Sequence, residues 1–205
     1  MIDQNIVQIL FPIIILLFSV IIHELSHGYV AYILGDDTAY NAGRLTLNPI
    51  SHLDMVGSII VPVLSIAFGG VFIGWAKPVP YNPRNIKSRY GEAFVASAGV
   101  ISNFALAVIS IIAYKLLSIN GILNENIGRA LFIIIAVNIS LACFNLMPIP
   151  PFDGMSILQS LFPRLNFLRK FSYNPVYLIG AILVASVFYS YLANFIFGFI
   201  IKILS

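Results

Sequence analysis

Charged residues are scarce in this sequence of 205 residues. They make up 9% of the chain, and hydrophobic residues make up 60%, whereas a soluble domain is usually about 25% charged. This composition excludes a soluble domain and predicts a polytopic membrane protein, with a single membrane domain over residues 1–205. The net charge of +3 is small, and we assign it to loops facing a cytoplasmic leaflet, which argues against a nucleic-acid partner.

Cysteine is almost absent too. Cys143 is the one cysteine of the sequence, which excludes an internal disulfide, and we interpret it as a small residue packed between helices. The N-terminus, Met1–Gln4, lacks the basic residues that begin a cleaved signal peptide. We therefore expect the first apolar segment to remain in the protein.

Long apolar runs dominate what is present. A membrane-spanning helix needs roughly 20 apolar residues, and four stretches are long enough: Ile6–Leu34, Ala93–Leu117, Ile127–Met147 and Pro175–Leu204. A fifth, Met55–Trp75, contains a proline and several glycines, which suit a re-entrant or sheet-like segment covered by protein. The predicted fold is an all-α polytopic membrane protein with about four transmembrane helices and one such membrane-associated segment.

Basic residues predict the orientation in the membrane. Two loops hold eight of the eleven Lys and Arg residues, namely Arg44, Lys77, Arg84, Lys87, Arg89, Arg164, Arg169 and Lys170. Positive loops are retained in the cytoplasm, so we expect both loops there and both chain termini outside. At about 1.5 Å per residue from Ile6, His23 then lies in the cytoplasmic third of the bilayer.

The most informative motif is His23-Glu24-Leu25-Ser26-His27, inside the first apolar run. Residues four apart on a helix share a face, so the two imidazoles lie together with a carboxylate beside them. This pattern is typical of two zinc ligands and a general base. Two histidines and a glutamate are costly in hydrocarbon, which favours a functional interpretation over helix packing.

A catalytic zinc site takes three protein ligands and keeps one position open. The other candidate ligands are His52, Asp3, Asp36, Asp37, Asp54, Glu92, Glu125 and Asp153. Asp153 has the most telling context, because it follows three prolines that stop a helix at the end of the third span. His52 and Glu92 remain alternatives, although we favour a structural loop role for His52.

Three motifs together resemble the site-2 protease family of intramembrane zinc metalloproteases. They are HExxH at His23–His27, GxxxN at Gly99–Asn103 and NxxPxPxxDG at Asn145–Gly154. The chain looks like the minimal bacterial and archaeal branch, which has no PDZ or CBS domain, and Gly43–Pro49 is also similar to that branch. For Asn103 and Asn145, hydrogen bonding between helices is the alternative role.

The resemblance implies one zinc ion per chain, with His23, His27 and Asp153 as ligands and Glu24 as the catalytic base. The implied function is a zinc-dependent endopeptidase that hydrolyses peptide bonds within or near transmembrane segments by a metal-activated water. Asn145 would hydrogen-bond the substrate backbone or the oxyanion. The expected location is a prokaryotic cell membrane, with the active site toward the cytoplasm. A metal-ion-binding membrane transporter is the alternative function.

The expected substrates are transmembrane proteins, whose helices must unwind locally before a peptide bond is accessible. An unwound segment needs new backbone partners. Leu45–Leu47 and Val71–Ile73 have the pattern of short strands that could supply an edge, or could instead pack the cytoplasmic mouth.

Overall fold

The computed structural model describes residues 4–60, 63 and 76–204. The α-helices in these residues are α1 Gln4–Ile33, α2 Thr38–Asn41, α3 Gly91–Ile119, α4 Glu125–Asn145, α5 Asp153–Leu161 and α6 Pro175–Leu204. Shorter turns of 3-10 helix occupy Pro49–His52, Pro83–Asn85 and Pro163–Tyr173, and Met55–Ile60 is a π-helical turn.

Among the described residues, three helical segments are long and apolar enough to cross a membrane, namely Leu10–Ile33, Gly91–Ile119 and Glu125–Asn145. A fourth span is present if Pro163–Phe171 and Val176–Tyr189, which meet at a bend of 105°, are counted as one. The all-α polytopic class is therefore confirmed. The first three predicted spans agree with these helices to within a few residues.

Local sequence explains where the first helix ends. Gly35 follows α1 with φ of +102°, a left-handed conformation that costs glycine little. Its N–H donates to Tyr32 O at 3.0 Å, and the Asp36 N–H donates to Ala31 O at 2.9 Å. These bonds satisfy carbonyls at the helix end and turn the chain sharply back toward the helix.

Helices α1, α3 and α4 pack on one another, α5 packs on α3, and α6 packs on α4. The face of α3 toward its neighbours is built mainly from small buried residues, namely Ala96, Gly99, Asn103, Ala107 and Ser110. Small residues let membrane helices approach closely. Large apolar side chains such as Ile109 and Ile119 are instead exposed, as expected for surfaces that contact lipid.

The strand prediction for Leu45–Leu47 is wrong, because these residues have irregular backbone and no strand occurs in residues 4–60, 63 and 76–204. A strand needs a hydrogen-bonded neighbour, whereas here the Leu45 side chain packs toward Gly28 of α1. Of the predicted re-entrant segment, Met55–Ile60 is π-helical. The rest, including Val71–Ile73, lies mainly outside the described residues.

Candidate active site

His23 and His27 lie one turn apart on the same face of α1, as their spacing predicts. Their ring centroids are 4.6 Å apart and the rings are nearly perpendicular, at 87°. The two Nε2 atoms face each other at 3.0 Å. Both nitrogens therefore point into the same small space.

The partners of the other ring nitrogens fix which nitrogen carries the proton. His27 Nδ1 lies 2.7 Å from the backbone oxygen of Val95, which can only accept a hydrogen bond. His23 Nδ1 lies 2.6 Å from Asn103 Oδ1. In the neutral imidazole one nitrogen donates and the other accepts, so both rings carry the proton on Nδ1. Both Nε2 lone pairs are then free to bind a metal.

Asp153 completes the cluster from the first turn of α5. Its Oδ2 lies 3.1 Å from His23 Nε2 and 3.4 Å from His27 Nε2. The following residue must be glycine, because a Cβ at Gly154 would lie 2.1 Å from the backbone oxygen of Leu146. The glycine thus lets the start of α5 pack closely against the end of α4, and this packing places the Asp153 carboxylate beside the two histidines.

The three atoms form a donor set that fits zinc. Two Nε2 lone pairs and a carboxylate oxygen converge without a hydrogen among them, and Asp153 Oδ2 is buried with no hydrogen-bond partner among the described residues. Tetrahedral zinc with bonds of about 2.0–2.1 Å places neighbouring ligand atoms roughly 3.3 Å apart. The observed separations of 3.0, 3.1 and 3.4 Å match that arrangement, and three ligands leave a fourth position for water.

Gly99 gives the cluster its space. A Cβ at Gly99 would lie 2.5 Å from His27 Nε2 and 2.6 Å from His23 Nε2. The first residue of the GxxxN motif therefore touches both imidazoles, and Asn103, its last residue, bonds to one of them. The motif serves the site as well as the packing of α1 on α3.

Glu24 is held by the backbone of the loop that precedes α3. The Val79 N–H donates to Glu24 Oε2 at 2.8 Å. Arg44 Nη2 donates to the backbone oxygens of Lys77 at 2.8 Å and of Pro78 at 3.3 Å, so a buried guanidinium anchors the two residues before Val79. A Cβ at Gly28 would lie 2.8 Å from Val79 Cγ1, which explains why glycine follows the HExxH motif.

Three other predicted residues make their described contacts outside the cluster of ligand atoms. Asn145 Nδ2 donates to the Leu141 backbone oxygen of its own helix at 3.0 Å. His52 is buried in a 3-10 turn, where its Nε2 donates to Thr46 O at 2.7 Å. Glu92 pairs with Arg169. The geometry therefore favours Asp153 over His52 and Glu92 as the third ligand.

Asp36 fastens the loops at the end of α1. It is fully buried, and it accepts hydrogen bonds from the Asn82 N–H at 2.6 Å, from Asn85 Nδ2 at 2.7 Å and from Thr38. Burial by itself would raise the pKa of Asp36, but these hydrogen bonds outweigh it and hold the pKa below its ordinary value of 3.8. The carboxylate therefore stays ionised and ties the 82–85 turn to α1.

Sequence reasoning missed the residues that support the cluster, above all Ser19 and Asn138. Both are buried, and both belong to a hydrogen-bonded chain that reaches His23 through Asn103. A signal existed for each: Ser19 lies one turn before His23, and Asn138 is a polar residue within an apolar span. The backbone contacts of Val79 and Val95 left no signal, because a backbone N–H or oxygen is present at every position.

These features define a membrane-embedded zinc metalloprotease, and comparison with known proteins agrees. The model of Peptidase family M50 matches residues 118–187. Three relatives, each named a "Putative zinc metalloprotease", cover most of the chain. YwhC of Bacillus subtilis (strain 168) is 41% identical over 157 residues, which are 74% of this chain and 68% of that protein.

The other two relatives are more distant. Rip2 of Mycobacterium tuberculosis (strain ATCC 25618 / H37Rv) is 30% identical over 70% of this chain and 54% of its own length. MJ0611 of Methanocaldococcus jannaschii is 31% identical over 68% of this chain and 64% of its own. The chain thus spans about two thirds of YwhC and about half of Rip2. No solved structure matches the chain.

The chain belongs to peptidase family M50, the site-2 proteases. It is a metalloprotease with apolar helices that make it an integral membrane protein, and zinc is its cofactor.

Proposed function

We propose that this protein is a zinc-dependent endopeptidase that cleaves transmembrane proteins within or near the bilayer, with Glu24 as the general base. One observation carries the proposal: two imidazole nitrogens and a carboxylate oxygen converge beside the helix turn that holds Glu24. A transporter would need a path of several sites across the membrane. A single cluster of three metal-ligating side chains is present in residues 4–60, 63 and 76–204.

In this proposal His23, His27 and Asp153 hold the ion. When bound, zinc supplies Lewis-acid chemistry, which polarises a carbonyl and lowers the pKa of water toward about 7. Glu24 accepts the proton of the attacking water and returns it to the leaving amine. The Val79 N–H engages Oε2 of that carboxylate, which orients the group and leaves Oε1 for the proton.

Asn145 is proposed to bind the unwound substrate or the oxyanion. Its bond to Leu141 O uses one N–H of the amide, so the second N–H and Oδ1 remain for a substrate. Asn145→Ala should then slow cleavage while zinc stays bound. A loss of about 2–4 kcal/mol in transition-state stabilisation would indicate an oxyanion contact, and loss of zinc would leave helix packing as its role.

The proposed setting is a single domain in a prokaryotic cell membrane, with the site open toward the cytoplasm. The motivation is the concentration of basic residues in the loops next to the site. Cysteines introduced at Asn85 and Asn124 test it by labelling in intact cells. Labelling of position 85 from outside would reverse the proposed orientation.

The decisive experiment is cleavage of a model transmembrane substrate by purified protein in liposomes. Glu24→Gln should retain zinc and fold but lose proteolysis, because the carboxylate carries a proton and is not a ligand. Glu125→Gln is the matched control, since Glu125 is 89% exposed at the start of α4. Near-normal cleavage by Glu24→Gln would refute the proposal, and zinc flux into the liposomes without cleavage would favour the transporter.

A further inference from the structure

A buried chain of hydrogen bonds links three helices behind His23. Asn103 of α3 and Asn138 of α4 are both fully buried. Asn103 Nδ2 donates to Asn138 Oδ1 at 2.8 Å, and Asn138 Nδ2 donates to Ser19 Oγ of α1 at 3.0 Å. At its other end, Asn103 Oδ1 meets His23 Nδ1.

The direction of this chain follows from backbone oxygens. Asn138 Nδ2 lies 2.9 Å from the backbone oxygen of Ile134, which can only accept, so this end of the amide must be the NH2 group. Asn138 Oδ1 therefore faces Asn103 and must receive a donor, which turns the NH2 of Asn103 toward Asn138. The backbone oxygen of Ser19, 3.4 Å from Asn103 Nδ2, reinforces the same orientation.

The consequence reaches the candidate metal ligand. With its NH2 turned away, Asn103 presents Oδ1 to His23, and only a protonated Nδ1 can donate to it. A reversed Asn103 amide would present N–H groups to Nδ1, and the proton of His23 would move to Nε2, the atom that faces Asp153. That tautomer cannot bind zinc through Nε2.

We propose that Asn138 is a positioning residue that sets the ring orientation and tautomer of His23 through Asn103. This role of Asn138 rests on the proposed function of His23 as a zinc ligand. His27 needs no such device, because its Nδ1 bonds directly to the Val95 backbone oxygen. The two histidines thus differ in the group that fixes their tautomer, and Asn138 acts on His23.

Hydrogen bonding that only holds helices together does not require this orientation of the Asn103 and Asn138 amides. Asparagine pairs between membrane helices stabilise a bundle by about 0.6–2 kcal/mol whichever way the amides point. Here the Ile134 backbone oxygen orients the Asn138 amide, and Asn138 in turn orients Asn103. Asn103 then presents its oxygen to His23 Nδ1. A role in packing alone predicts loss of stability without a selective change at His23.

Two substitutions of nearly equal shape separate these roles. Asn138→Asp keeps an oxygen that accepts from Asn103 Nδ2, whether or not the acid is protonated, whereas Asn138→Leu removes it. Zinc affinity, measured by competition with a chelator on purified protein, should fall about 10- to 100-fold in Asn138→Leu and much less in Asn138→Asp. Ser140→Ala is the control, since Ser140 is on the same helix but bonds to Tyr189.

A second measurement follows each imidazole separately. Nitrogen NMR of zinc-loaded protein with labelled histidine should show a protonated Nδ1 in both rings of the wild type. In Asn138→Leu the His23 Nδ1 proton should exchange faster, while that of His27 stays as it was. In an Asn103→Ala background, Asn138→Leu should lower zinc affinity little further, because the path to His23 is already broken.

The outcomes are distinguishable. Equal zinc affinity in Asn138→Leu and Asn138→Asp, or equal disturbance of both histidines, would overturn the role of Asn138. Additive losses in the double variant would overturn it as well. Unchanged zinc affinity in His23→Ala would instead refute the proposed metal site itself.

Discussion

The candidate metal centre and the loops at the end of α1 are both polar, but they satisfy their polar groups in different ways. At the centre, His23 and His27 bond to residues 80 and 68 positions away in the chain. In the loops, Asn48 and Asn82 each accept from a backbone N–H only two residues further on. The centre therefore depends on how helices dock, whereas the loops combine local turn chemistry with long-range bonds such as those of Asp36 and Arg44.

This difference has an energetic basis. In hydrocarbon no water replaces a lost partner, so each polar group in the centre must find its partner within the protein. Loop residues such as Asn48 and Asn82 border water and find partners in their own turns. We therefore expect substitutions at the centre to act on zinc and catalysis, and substitutions in the loops to act mainly on stability.

The largest effect should come from Asp153→Ala. Removing the carboxylate leaves two imidazoles, and a site with two ligands binds zinc far more weakly than one with three. Zinc per mole of purified protein should fall sharply, and proteolysis should be lost. Glu92→Ala is the control, because Glu92 pairs with Arg169 and should leave zinc in place. Full occupancy in Asp153→Ala would place the third ligand elsewhere.

Gly99→Ala should produce the next largest effect, although it removes no polar group. The new Cβ would lie 2.5–2.6 Å from the imidazoles, so the rings must move. Overpacking of this kind costs about 1–3 kcal/mol, or roughly 5- to 150-fold in zinc affinity. Gly128→Ala is the matched control, since a Cβ there meets nothing closer than 3.8 Å. Unchanged zinc affinity in Gly99→Ala would mean that α1 and α3 can separate freely.

Arg44→Met tests the connection between the two regions, because Arg44 is a loop residue that acts on the catalytic side. Without its bonds to Lys77 O and Pro78 O, the Val79 N–H should engage Glu24 less often. Cleavage should slow about tenfold, or roughly 1.4 kcal/mol, because the hydrogen bond to Glu24 is weakened and not abolished. Zinc content should not change. Equal loss of zinc and activity would show that Arg44 supports the whole fold instead.

The same contrast explains what the sequence could predict. Hydropathy located the spans, because length and apolar composition are local properties of α1, α3 and α4. The HExxH spacing predicted that His23 and His27 share one face of a helix, because helix periodicity is local as well, whereas Asp153 was singled out by the prolines before it and by the family resemblance. The strand at Leu45–Leu47 was a wrong prediction, since an alternating pattern does not reveal whether a partner strand exists.

The supporting contacts were beyond local patterns. Asn138 reaches Ser19 across 119 positions, and Glu24 meets the Val79 N–H across 55. Neither pairing follows from composition or periodicity, because each depends on the rotation of one element against another. Asn138 was nevertheless visible as a polar residue in hydrocarbon, so its position was a signal even though its partner was not.

The smallest effect on zinc and catalysis should come from Asp36→Asn, in the loops. Asn cannot accept from all the donors that surround Asp36, and its NH2 would face the Asn82 N–H or Asn85 Nδ2. We expect a loss of about 1–3 kcal/mol in stability, with zinc affinity unchanged.

The pH dependence gives the sharper test of this loop. Because the folded pKa of Asp36 lies below 3.8, its stabilisation is complete above that value and is lost as the pH falls through the folded pKa. The difference in stability between wild type and Asp36→Asn should therefore be constant near neutral pH and shrink below about pH 4. Thermal unfolding in detergent at several pH values would measure it. A difference that grew on acidification would mean that the ionised carboxylate of Asp36 is destabilised in the fold. Asp36 would then not be a structural loop residue distinct from the catalytic centre.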